Sequence, residues 1–119
     1  MRKLVDANVV LRYMLHDDEN KFPAAEQTIR DGAYLLPEVL AEIVYVLQGV
    51  YSVPRTELAS QLQLLVDEMQ TEHPDVLKSA LELFGSSKLD FVDCLLVTYN
   101  NHLGDKVASF DRKLNRLLR

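Results

Sequence analysis

Four short stretches that read as strands, residues 3–5, 33–36, 68–72 and 106–110, are separated by longer stretches with helical periodicity. This alternation constrains the chain more than any other feature. The runs are too short to be helices, and their boundaries are sharp: Gly32 and Pro37 bracket the second, and Gly104 precedes the last. The helical stretches fall over residues 7–15, 23–31, 37–51, 54–66, 74–84, 91–102 and 112–118. Pro23 and Pro54 suit first turns, where a missing N–H costs nothing. Over 37–51 the apolar positions Val39, Ile43, Val46, Leu47 and Val50 mark one face, and Leu58, Leu62, Leu65 and Val66 mark another over 54–66. Repeated β–α steps predict an α/β fold, a three-layer α/β/α sandwich around a short, mostly parallel sheet. The 119 residues suit one domain over 1–119, and no repeat, low-complexity tract or linker divides them.

Composition removes several classes of function. Hydrophobic content of 48% and charged content of 26% are those of an ordinary folded domain rather than a disordered chain. No apolar run approaches the roughly 18 residues that cross a bilayer, and the first residues meet Asp6 too early for a secretory signal. Cys94 is the single cysteine, so no internal disulfide forms and a reducing cytoplasm is the expected location. His16, His73 and His102 are too scattered for a zinc signature. The net charge of −5 is the wrong sign for holding nucleic acid by charge alone. Basic residues nevertheless gather at Arg112, Lys113, Arg116 and Arg119. They suit phosphate, an acidic partner, or simply the negative end of a helix.

In parallel sheets the working groups collect beyond the carboxyl ends of the strands. Asp6 follows the first predicted strand and Asp111 the last, each placed equally well to cap a helix. Glu42 lies about 40° from Val46 and 60° from Val39 on a helical wheel, at the edge of the apolar stripe. Asp90 and Asp93 open the helix containing Cys94 and Leu95, where helix capping and the dipole offer a purely structural role. Taking Val92, Leu95, Leu96, Tyr99 and Leu103 as the inward arc puts Asp93 on its rim. Four carboxylates near one point repel; at about 5 Å and an effective dielectric of 20, each pair costs roughly 3 kcal/mol. A hard divalent ion such as Mg²⁺ or Mn²⁺ relieves that repulsion, and metal-assisted phosphodiester hydrolysis is the chemistry it supports.

Four segments in order carry a resemblance: Val5-Asp6-Ala7-Asn8-Val9-Val10-Leu11-Arg12-Tyr13, Pro37-Glu38-Val39-Leu40-Ala41-Glu42-Ile43, Leu89-Asp90-Phe91-Val92-Asp93-Cys94-Leu95-Leu96 and Val107-Ala108-Ser109-Phe110-Asp111-Arg112-Lys113. Over nearly its whole length the chain resembles the PIN domain, and within it the VapC-like toxins of prokaryotic toxin–antitoxin pairs. The resemblance implies an endoribonuclease that uses Mg²⁺ or Mn²⁺. Asp6, Glu42, Asp93 and Asp111 match the family's acidic quartet, the first three as principal metal ligands and Asp111 as orienter of water or holder of a second ion. Asn8 and Ser109 match polar positions lining the site, and Asp90 matches a supporting acid. A cognate antitoxin and a homodimer are implied as partners, with helices between Val39 and Val66 as the contact face.

Two other readings compete. One is another acidic α/β hydrolase of phosphate chemistry. A haloacid-dehalogenase-type phosphatase wants an Asp where Asn8 stands, a receiver domain wants an Asp within 40–66, and a Toprim-like nuclease wants an Asp-x-Asp pair that the chain lacks. The second is a non-catalytic PIN-like binding module whose acids only cap helices.

Overall fold

The computed structural model describes residues 1–119 as seven helices: α1 (Ala7–Leu15), α2 (Phe22–Arg30), α3 (Pro37–Gly49), α4 (Arg55–Glu68), α5 (Pro74–Ser86), α6 (Phe91–Leu103) and α7 (Arg112–Leu117). Their ends follow local chemistry. The Asp6 carboxylate accepts the Val9 N–H at 3.0 Å and opens α1. Prolines stand in the first turns of α2, α3 and α5, and Gly104, at φ 78°, closes α6 in the left-handed conformation that glycine adopts without strain.

The expected α/β/α sandwich is not what forms, because there is no sheet. Three predicted strands are reduced to two isolated parallel bridges, Leu4 to Tyr34 and Tyr34 to Gln70. Tyr34 N–H donates to the Lys3 carbonyl at 2.7 Å and Leu35 N–H to the Gln70 carbonyl at 2.8 Å. Pairing stops there because the chain turns away at once. Asp6 begins the cap of α1, Gly32 at φ 84° turns the chain just before Ala33, and Pro37 begins α3. The edge-strand reading of 68–72 fails similarly, since α4 runs through Glu68 and only Gln70 bridges. Residues 106–110 form no bridge at all. Their segment is tied back instead by Asn100, whose Nδ2 donates to the carbonyls of Asp105 (2.8 Å) and Arg119 (3.2 Å). The Asn100 Oδ1 accepts the Arg119 N–H at 2.7 Å.

The core therefore rests on helix packing: α4 lies on α5, α5 on α6, and α1 on α2 and α3. Leu58, Leu62, Leu65 and Val66 are buried as their spacing predicts. The inward faces of α3 and α6 are rotated from prediction. On α3 Leu40, Ile43, Val44 and Leu47 are buried, Val39 and Val46 only partly, and Val50 is exposed. On α6 the buried set is Phe91, Cys94, Leu95, Val97, Thr98 and Asn100, whereas Val92, Leu96 and Leu103 are exposed. Phe84 and Phe91 meet edge to face, 5.9 Å between centroids, and fix the α5–α6 junction. That junction positions Asp90 and Asp93.

Candidate active site

Asp90 is the N-cap residue of α6 and Asp93 lies in its first turn. The Asp90 carboxylate makes no capping bond, so it stays free to face its neighbours. Across from them, Glu42 stands on α3. Glu42, Asp90 and Asp93 line one cavity of about 510 Å³ whose walls include Tyr45, Val46, Phe91 and Val92. Three acids thus border a largely apolar hollow between α3 and the start of α6.

Asp93 is the most perturbed of the acids. Partial burial comes first, and the negative charges of Asp90 and then Asp111 add to it, so its carboxyl is held above the usual carboxylate range. Asp111 arrives from a separate segment as N-cap of α7, where its Oδ1 accepts the Leu114 N–H at 3.0 Å. Ser109 sets it there: the serine Oγ accepts the Asp111 N–H at 3.0 Å, and its carbonyl accepts from Asn115 Nδ2 at 2.9 Å. Ser109 is therefore a support for an acid, by way of the acid's backbone.

The structure thus joins the predicted residues in two overlapping sets. Glu42, Asp90 and Asp93 share a cavity; Asp90, Asp93 and Asp111 share an electrostatic field. Asp6 lines neither that cavity nor any other described, and its carboxylate is engaged in capping α1. Asn8 opens into a different hollow of about 300 Å³, beside Arg12 and Lys21. Tyr45 and Phe91, which wall the acidic cavity, went unnoticed in the sequence. The available signal was spacing, since Tyr45 follows Glu42 by three residues and shares its helix face.

All the candidate donors are carboxylates, the oxygen chemistry of a hard divalent ion. No three acidic, histidine or cysteine side chains stand close enough to ligate one ion together. Direct ligation by a full acidic quartet is therefore not the arrangement of these side chains. The donors fit an ion that keeps several waters, as Mg²⁺ does, and is held partly through them. A cation there would also relieve the repulsion that Asp93 feels from Asp90 and Asp111.

The family model described as the PIN domain matches residues 3–118. No curated protein and no solved structure matches the chain.

Proposed function

The chain belongs to the PIN domain family, whose members are in general nucleases, and from that premise we propose that it is a metal-dependent endoribonuclease. The observation that carries the proposal is the setting of Asp93: it lines a cavity together with Glu42 and Asp90, and partial burial first, then the charges of Asp90 and Asp111, raise its carboxyl. Acids set side by side at a cavity suit a cationic counter-charge, and perturbed groups cluster at sites of chemistry.

In this reading Asp6, Glu42, Asp93 and Asp111 would hold Mg²⁺ or Mn²⁺, partly through water, with Asp90 as a supporting acid. When bound, the ion supplies an activated water and neutralises the charge that grows on the phosphorane. The protein's own part is positional. Ser109 orients Asp111 through its backbone, the Phe84–Phe91 contact fixes the start of α6, and Phe91, Val92 and Tyr45 give the acidic cavity an apolar wall.

The toxin assignment belongs to the same proposal and rests on the four motif segments. The nuclease is read as a VapC-like toxin, silenced by a cognate antitoxin and paired as a homodimer. The contact face is narrower than the helical stripes suggest. Most apolar residues of α3 and α4 are spent in the core, which leaves Tyr45, Val50 and Leu64 exposed.

Purified protein incubated with RNA and Mg²⁺ or Mn²⁺ tests the reading directly. Cleavage should occur, and EDTA, Asp6→Asn or Asp93→Asn should each stop it. A folded Asp93→Asn variant that cuts at the parent rate removes Asp93 from the mechanism. Failure of the parent to cut any RNA with either metal favours the binding-module alternative.

A further inference from the structure

Beside the acids lies a corner of opposite charge. Lys88, from the α5–α6 loop, converges with Lys113 and Arg116 of α7 on a cleft of about 330 Å³ also lined by Leu89 and Leu117. None of the three cations makes an ion pair, although the chain carries an excess of acids. Lys113 and Arg116 are three residues apart and so project from one face of α7. Immediately before that helix, Phe110 is 106% exposed. A phenyl ring in water, one residue before an acid and three before a lysine, contributes nothing to the fold it stands on. It exposes apolar area that folding ordinarily removes.

We infer that this corner is a nucleotide subsite for single-stranded RNA, in which a base stacks on Phe110 while a backbone phosphate sits among Lys88, Lys113 and Arg116. The inference rests on the ribonuclease reading for its choice of polymer. Three cations without partners are opposite in sign to a backbone phosphate, and an exposed ring matches the one feature every base shares, its π-face. The subsite takes unpaired RNA, because a base inside a duplex has its faces covered by its neighbours. An acidic peptide would satisfy the cations and leave the ring unused. A second copy of the chain would cover the ring, but a two-fold contact at this corner would set Arg112, Lys113 and Arg116 against their own copies. The placement has a mechanistic result: Asp90 adjoins the Leu89 wall, and Asp111 lies between Phe110 and the basic face. In this proposal a strand seated here lies next to two acids that are chain neighbours of the subsite residues, Asp90 after Leu89 and Asp111 after Phe110.

Binding can be read apart from cleavage by fluorescence anisotropy in EDTA, using a short unpaired oligoribonucleotide, a duplex of the same length and poly-glutamate. The parent should bind the unpaired strand best. Phe110→Ala should weaken it roughly tenfold with the salt slope unchanged, and Phe110→Tyr, which keeps the ring, should restore it. Lys113→Gln with Arg116→Gln should lower the slope of log affinity against log salt by up to roughly 0.7, the value for one lost phosphate contact on a single strand. Equal binding of duplex or poly-glutamate, no binding by the parent, unchanged binding by both variants, or a Phe110→Ala effect confined to oligomeric state would each overturn the subsite. The two readings fail separately. Cleavage with Mn²⁺ but no variant effect on binding sinks the subsite alone; the binding pattern without any cleavage sinks the nuclease.

Discussion

The Arg55 guanidinium lies 3.7 Å over the ring of Phe84, while its Nε donates to the Phe84 carbonyl at 2.9 Å. A second nitrogen of the same group, Nη2, donates to the Leu89 carbonyl. One side chain at the start of α4 therefore holds both ends of the loop that leads into Asp90 and Asp93.

Arg55→Met should cost about 2–4 kcal/mol, because two part-buried carbonyls lose a charged donor together with its stacking contact. Urea unfolding measures the loss. Arg55→Lys should recover little of it, since an ammonium cannot supply the planar fork. An unchanged midpoint in the methionine variant would show that the loop is held by packing alone.

Gly85 should resist enlargement. A Cβ there would stand 2.7 Å from the Ala59 Cβ, closer than such atoms approach. Alanine gains up to about 1 kcal/mol of helix propensity over glycine, but overpacking costs about 1–3 kcal/mol, so Gly85→Ala should destabilise. In an Ala59→Gly background the penalty should shrink, with a coupling of about 1 kcal/mol in a double-mutant cycle. Additive effects would mean that α4 and α5 separate freely.

Cys94 is fully buried, and burial pushes its thiol from 9.0 up to about 11. Over that interval the unfolded chain loses this proton while the folded chain keeps it. Its contribution to stability is thus complete below pH 9.0 and is lost as pH rises toward 11. Unfolding midpoints should fall across this window, and less steeply in Cys94→Ala. At pH 8 the native thiol should react with an alkylating reagent only as fast as the protein opens.

Asp93 has the opposite relation to neutral pH. Its raised carboxyl favours the protonated folded state, a contribution that is present below the usual value of 3.8 and lost as pH rises. Asp93→Asn should therefore stabilise the metal-free protein at pH 7 by less than about 1 kcal/mol, after allowance for solvent screening. The same change should abolish any rise in melting temperature produced by Mn²⁺. A variant less stable than the parent without metal would show that the carboxylate is not under electrostatic strain.

The helices were legible because their signals are local. Prolines 23, 37 and 74 and Gly104 act within a turn, and Asp6 and Asp111 cap as their positions suggest. The sheet was misread because Leu4 and Tyr34 carry the same pattern whether one residue pairs or five do. How long two segments stay parallel depends on where each turns away, and Asp6 and Pro37 turn them at once. The faces of α3 and α6 were misread for a related reason. Val39, Val46, Val92 and Leu96 are apolar without being innermost, and only the packing of neighbouring helices, α1, α4 and α6 on α3 and α5 on α6, decides between rotations so close. The grouping of Asp111 with Asp93 came from the resemblance and not from the spacing of the acids, because their approach depends on how the segment after α6 returns.

That return is gathered at both ends by a single amide. Asn100 grips the chain at Asp105 and again at Arg119, and no ladder of backbone bonds secures what lies between. Between those anchors Leu114 is buried and α7 packs on α6, so aromatic ring, capping acid and basic helix ride on one short arc fastened at its two ends and its middle. Loss of the Asn100 bonds would therefore loosen acid and base together rather than one at a time.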